Sequence, residues 1–323
     1  MPYADVVHRA LYDPVHGFYS VGGRAGRRGD FLTSPEVGPL FGHVVARAID
    51  AEWERLGRPD EFTFVDFGAG PGTLARSVFA ASPAVGEQLT YIAVERSAAQ
   101  RENHPDGVLS VEGLAVEHVG TGICGMVFAN ELLDNLPFTP VRWEVDRATF
   151  ASVTIGADGE LAETFEGLSD VDGPPLFPGR TVVDQSAAAA WVSWILRDVI
   201  DEGRLVIIDY ARQKTEDVEV RTYSEHGLAG DPLVALGAKD ITVDVDLEVL
   251  QRSVRDAERI VEQREWLRLH GVDALVEQGR TIWEEQASIG DLAALRAKSR
   301  IREAEALSDP AGLGGFWVLE WTV

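Results

Sequence analysis

The sequence predicts an α/β protein with a mostly parallel central sheet. Three observations carry that expectation. Short apolar and β-branched runs alternate with helical patterns between residues 62 and 210, the rhythm of strands joined by crossover helices. Phe62-Thr63-Phe64-Val65 leads directly into Asp66-Phe67-Gly68-Ala69-Gly70-Pro71-Gly72, and residues 74–81 then carry helix formers as far as Pro83. Strand, glycine turn and helix thus follow one another, as they do where a sheet presents its first loop to a ligand. Residues 89–95, 123–129 and 204–210 are further strand-like runs that end in or beside polar groups.

The spacing of the glycines selects the ligand. A dinucleotide fingerprint places its third glycine so that a pyrophosphate rests on the helix N-terminus. Here that glycine comes one place early, at Gly72, and Thr73 holds the dinucleotide position. Asp66 followed by Gly68-Ala69-Gly70-Pro71-Gly72 instead resembles motif I of the class I S-adenosylmethionine methyltransferases, whose turn lies under the amino-acid part of the cofactor. Glu95 ends the second strand, where a carboxylate can accept from both hydroxyls of a ribose. The resemblance makes S-adenosyl-L-methionine the expected cofactor and Asp66, Gly68, Ala69, Gly70, Gly72 and Glu95 its candidate ligands.

Composition narrows the classes. The chain has 323 residues, 45% of them hydrophobic, enough for one large core or two modest ones. No apolar run approaches the ~20 residues of a membrane helix, and the first residues lack the basic start and apolar stretch of a signal peptide. A soluble, cytoplasmic protein that does not enter a membrane is therefore expected. The single cysteine, Cys124, excludes an internal disulfide, and the histidines form no metal-binding motif, so no metal is expected. A formal charge of −24 disfavours nucleic acid as a partner and suits a basic protein substrate.

Before the glycine turn, residues 3–11 are helical in pattern and residues 12–19 are aromatic and turn-forming. Ser34 can cap a helix with Pro35 at its first position, and residues 41–56 form an amphipathic helix. Ala10-Leu11-Tyr12-Asp13-Pro14-Val15-His16-Gly17-Phe18-Tyr19 and the stretch 29–42 resemble the N-terminal signature of the MidA-like methyltransferases. That family includes a mitochondrial arginine methyltransferase that assists assembly of respiratory complex I. The resemblance implies that residues 1–57 cap the cofactor cleft, and it makes Thr33, Ser34 and Glu36 candidate cleft residues.

The fourth strand runs into Asn130-Glu131-Leu132-Leu133-Asp134-Asn135-Leu136-Pro137. Ligands of doubly wound sheets bind beyond the carboxyl ends of the strands, so these polar groups lie where a methyl group would move. The octapeptide resembles the most specific motif of the same family, Asn-Glu-Leu-Leu-Asp-Ala-Leu-Pro. Asn130 is a candidate cofactor ligand. Glu131 and Asp134, three residues apart, are neighbours if they share a helical turn and can then hold a guanidinium through forked hydrogen bonds. Acids favouring a helix dipole are the alternative.

Residues 137–186 change character: alternating runs and the hairpin signal Gly156-Ala157-Asp158-Gly159 predict an antiparallel insertion beside the cleft. Residues 187–202 read as a helix stopped by Gly203, ahead of a fifth strand at 204–210. Residues 211–250 form a substrate-side segment. It carries His226, a third candidate catalytic residue, and Asp244, where the family usually has histidine. Residues 259–263 and the closing 314–321 are the last strands.

The expectation is a Rossmann-like class I methyltransferase fold spanning residues 58–323, with an antiparallel last strand, an N-terminal helical cap and a β-rich insertion. The resemblance implies methylation of arginine side chains in a protein substrate, with catalytic roles for Glu131, Asp134 and His226. A non-catalytic assembly factor that keeps the cofactor fold, and a small-molecule methyltransferase, remain as alternatives.

Overall fold

The structure, a computed structural model, describes residues 1–21, 32–113, 118, 122–144, 148–156, 159–169, 179–224, 227–286 and 292–323. The hairpin tip at Ala157-Asp158, the loop at 173–178 and His226 lie outside the described residues, as do 29–31 of the N-terminal signature.

Seven strands form the central sheet: β1 (Phe62–Phe67), β2 (Leu89–Val94), β3 (Val108–Val111), β4 (Ile123–Asn130), β5 (Ile200–Asp209), β6 (Arg259–Glu262) and β7 (Trp317–Thr322). Their spatial order is β3-β2-β1-β4-β5-β7-β6, and only β7 runs antiparallel to its neighbours. The order turns outward on both sides of β1 and β4, which opens a crevice at their carboxyl ends. The central strands are apolar on both faces because helices cover both. One core packs helix Pro39–Arg55 and helix Thr73–Ala81 on the sheet, and a second packs helix Ser186–Trp194 on the opposite face.

The helix expected at 187–202 is shorter. It ends at Trp194, passes through a π turn at Ile195–Val199, and β5 already begins at Ile200. Gly203 is therefore a strand residue and not a helix stop. Its role is close approach: a β-carbon on Gly203 (φ 150°) would fall 1.8 Å from the carbonyl oxygen of Gly125, and one on Gly125 (φ 152°) 2.0 Å from that of Thr63. Ser34 differs too. It lies inside the short helix Ser34–Val37, with Thr33 at the cap position and no capping side-chain bond. Its hydroxyl instead donates to Gln263 Oε1 at 2.8 Å, in a buried pair across 229 residues of sequence.

The insertion is a four-stranded antiparallel sheet, in the order Leu161–Ser169, Ala148–Ile155, Thr139–Trp143, Thr181–Asp184. Helix Tyr3–Tyr12 packs on it through Val6, Val7 and Leu11, together with Ile241 and Val243 of the strand Asp240–Val243. Residues 1–57 thus divide between two places, since helix Pro39–Arg55 belongs to the core of the main sheet.

Candidate active site

A cleft of about 730 Å³ opens where β1, β2, β4 and β5 end. Its floor is the glycine turn. Gly68, Gly70 and Gly72 take φ of 74°, 54° and 76°, dihedrals that side chains with a β-carbon seldom adopt. The amides of Gly68 and Ala69 donate to the carbonyl of Val94 at 2.9 and 3.2 Å, anchoring the turn to β2. Glu95 Oε2 accepts from the amide of Gly70 at 3.0 Å, and Oε1 from that of Ser97 at 2.7 Å. An ionised carboxylate has about four acceptor sites, so Glu95 braces the turn and can still take hydroxyls from the cleft. Burial pushes its pKa up, against the pull of those two amides. Asp66 lies beneath, accepting from the Tyr91 hydroxyl at 2.8 Å, and burial pushes it up to about 7.

The second wall is built at the end of β4. Glu131 sits at φ 54°, a left-handed conformation rare outside glycine and asparagine, with its amide donating to the carbonyl of Ile208 at 2.8 Å. The backbone strain turns the chain sharply from β4 into a 3₁₀ turn at Leu133–Asn135. Glu131 Oε1 accepts from Asn130 Nδ2 at 2.9 Å. Asp134 Oδ2 accepts from the hydroxyls of Tyr210 and Thr242, and Asp209 Oδ2 from the amides of Leu133 and Asp134. Asp240 Oδ1 takes the Tyr19 hydroxyl and Asn135 Nδ2, both at 3.2 Å. Three carboxylates, Asp134, Asp209 and Asp240, are therefore buried close together, with the half-buried Glu131 beside them. Desolvation raises them all, and repulsion from neighbouring carboxylates adds to it at Glu131, Asp209 and Asp240: Glu131 and Asp240 to about 8, Asp134 above its ordinary value and Asp209 well above it. Among the described residues, no His, Cys, Asp or Glu group is arranged to hold a metal ion.

Of the candidates read from the sequence, Thr33, Asp66, Gly68, Ala69, Gly70, Glu95, Asn130, Glu131 and Asp134 line this cleft, as does Glu36. Ser34 and Gly72 do not. Ser34 is fully buried on Gln263, and Gly72 caps helix Thr73–Ala81 against His104 and Pro105. Glu131 and Asp134 do not share an α-helical turn: Glu131 precedes the 3₁₀ turn that holds Asp134. Asp244 is buried away from the lining. It pairs with Arg221 Nη1 at 2.9 Å and Arg212 Nε at 3.2 Å, so its departure from the family pattern builds an ion-pair network. Sequence reasoning missed Tyr12, Tyr19, Tyr210 and Asp240, which all line the cleft. Nothing in local spacing announces that segments 76 to 221 residues apart converge.

The residues present fit S-adenosylmethionine. The turn offers a side-chain-free surface at Gly68 and Gly70, with Glu95 at its rim. Asn130 Oδ1 and Asp134 Oδ1 are buried without a hydrogen-bond partner among the described residues, at the edge of the same cleft. When bound, the cofactor supplies an electrophilic methyl group on a sulfonium.

Fold and cleft together define a class I S-adenosylmethionine-dependent methyltransferase. The model of a family described as "Putative S-adenosyl-L-methionine-dependent methyltransferase" matches residues 44–264, and the chain belongs to that family. It is 27% identical over 293 residues to "Protein arginine methyltransferase NDUFAF7 homolog, mitochondrial" of Drosophila melanogaster, covering 78% of this chain and 66% of that protein. To "Protein arginine methyltransferase NDUFAF7, mitochondrial" of Homo sapiens it is 22% identical, covering 77% of this chain and 64% of that one. The chain thus spans about two thirds of the length of these relatives. A Burkholderia thailandensis crystal structure bound to S-adenosyl-homocysteine shares the fold, with a TM-score of 0.80 at 24% identity over 100% of this chain and 88% of that one.

Proposed function

We propose that this protein transfers the methyl group of S-adenosylmethionine to arginine side chains of a protein substrate. The observation that carries this reading is the cluster of three buried carboxylates, Asp134, Asp209 and Asp240, with the half-buried Glu131 beside them. Such a cluster is costly alone and is stabilised by an entering cation. A guanidinium is planar and offers a fork of donors to two carboxylates at once. Arg221 also lines the cleft, but Asp244 and Glu219 hold it at 2.9 and 3.1 Å. The acceptor's charge is therefore free to engage Glu131 and Asp134.

Chemistry on this wall is positioning and proton handling. The carboxylates localise the guanidinium charge, so that one nitrogen keeps its lone pair directed at the methyl group. Glu131, held near a value of about 8, is matched to accept the proton that leaves as the new bond forms. The relatives named as protein arginine methyltransferases support the same acceptor. The charge of −24 favours encounter with a basic segment and disfavours nucleic acid.

The test is transfer of isotope-labelled methyl groups from S-adenosylmethionine into a cell lysate, followed by acid hydrolysis of the protein fraction. Label in N-methylarginine is the expected result. Label confined to small molecules would overturn the acceptor class. Retained cofactor binding with no label would leave a docking factor in place of an enzyme.

A further inference from the structure

A second pocket, of about 370 Å³, lies where helix Pro39–Arg55 meets the end of helix Thr73–Ala81 and the helices Val272–Gln286 and Leu292–Ser308. It shares no lining residue with the cleft. Arg47, Arg300, His43 and one acid, Asp50, line it. Arg47 Nη1 donates to the carbonyl of Gly271 at 2.8 Å, and Arg300 Nη1 to the carbonyl of Leu275 at 3.1 Å and to Gln278 Oε1 at 3.0 Å. Every one of these acceptors is neutral. Among the described residues neither arginine has a carboxylate at ion-pair distance.

The two acids here, Asp50 in the lining and Glu303 beside it, accept hydrogen bonds from other groups. Asp50 Oδ1 accepts from the amide of Val85 at 3.0 Å, and Glu303 from the amide of Leu40 at 2.9 Å and the hydroxyl of Ser299 at 2.6 Å. Burial and the neighbouring guanidinium groups lower the pKa of His43; burial lowers that of Arg300, against the pull of Glu303 and with a further push from Arg47. Two guanidinium groups are thus gathered, half-buried and without a close ion pair among the described residues, on a protein whose net charge is −24. The arrangement is unfavourable until an anion enters.

We propose that this pocket binds a doubly charged oxyanion of the phosphate type, clamped between the guanidinium groups of Arg47 and Arg300 with His43 as a third donor. Each guanidinium has donors left after its bonds to neutral acceptors. Planar forks of this kind match the oxygens of a tetrahedral anion. The volume also admits part of a group esterified to the phosphate.

Calorimetric titration with inorganic phosphate, against chloride at matched ionic strength, tests the site. Saturable binding is expected in the unaltered protein, with affinity about tenfold or more lower in Arg47→Gln and in Arg300→Gln. Retention of the thermal shift with S-adenosylhomocysteine shows that the variants are folded. A nucleoside monophosphate titrated in parallel separates the sources: tighter binding than phosphate identifies an esterified group, equal or weaker binding the free ion. Crystals of the unaltered protein soaked in selenate supply a readout without substitution, with an anomalous peak expected between the two guanidinium groups. Absence of saturable binding, affinity in both variants unchanged from the unaltered protein, or no peak at that position would overturn the proposal.

Discussion

The imidazole Nε2 of His104 meets the carbonyl oxygen of Gly70 at 2.9 Å, and Nδ1 of the same ring lies 2.8 Å from Ser110 Oγ. The middle glycine of the turn is thereby held at its carbonyl and at its amide, since Glu95 takes the latter. His104→Ala should leave the fold intact and weaken S-adenosylhomocysteine binding about fivefold, the worth of a net hydrogen bond of roughly 1 kcal/mol. Calorimetry giving an unaltered dissociation constant would show that the turn needs no brace.

Glu95 serves the turn and, in our reading, the ribose. Glu95→Ala should lower cofactor affinity by about 1.5–3 kcal/mol, the loss of a charged acceptor. Glu95→Gln keeps one oxygen for the amide of Gly70 and should lose less. Equal affinity in all three proteins would reduce Glu95 to a strand end.

Glu131→Gln separates chemistry from architecture. The amide keeps the shape and removes the charge, so cofactor affinity should hold while methyl transfer falls tenfold or more, about 1.4 kcal/mol at the transition state. An acid that only favours a helix dipole is worth roughly 0.3–1 kcal/mol of stability and would leave turnover alone. Lower melting temperature with normal transfer would end the catalytic assignment.

The raised carboxyl groups predict a pH dependence. Glu131 and Asp240 at about 8 and Asp66 at about 7 bind their protons more tightly folded than unfolded. Their contribution to stability is complete below the unfolded value of about 4 and is lost as pH rises through the folded values. The melting temperature without acceptor should therefore fall between about pH 6 and pH 8, less steeply in Glu131→Gln. Methyl transfer should rise across the same interval as the carboxylates form. Parallel, flat melting curves for both proteins would refute the assignment.

Gly203→Ala tests the strand approach. The added carbon meets a carbonyl at 1.8 Å in a conformation that alanine rarely adopts. A loss of about 3 kcal/mol or more is expected in denaturant unfolding, in the range reserved for overpacking and backbone strain. A change under about 1 kcal/mol would mean that β4 and β5 can part freely.

Much of the donor half was legible in the sequence, because it is local. Residues 62–81 announce strand, turn and helix through contiguous apolar residues and three glycines, and Glu95 follows the very next strand. Gly203 was misread because a glycine after a helical pattern looks like a helix stop. Its reason lies in Gly125, 78 residues earlier. Tyr19, Asn135 and Asp240 illustrate the same limit: their hydrogen bonds span 116, 221 and 105 residues, and no period or motif encodes such a meeting. Ser34 was assigned a cap by residue type, whereas its hydroxyl found Gln263 across the molecule.

Tyr12, Tyr19 and Asp240 reach the cleft from the layer in which the first helix, the insertion sheet and the strand Asp240–Val243 share one apolar core. Gly70, Glu95 and Asp66 hang instead on the sheet with its own two cores. In our reading, part of the acceptor's wall thus rests on a core separate from the donor's cradle, while Glu131 and Asp134 stay with the main sheet. Exchanges at Val6, Val153 or Ile241 can tilt the acceptor's wall while the donor's cradle stays still.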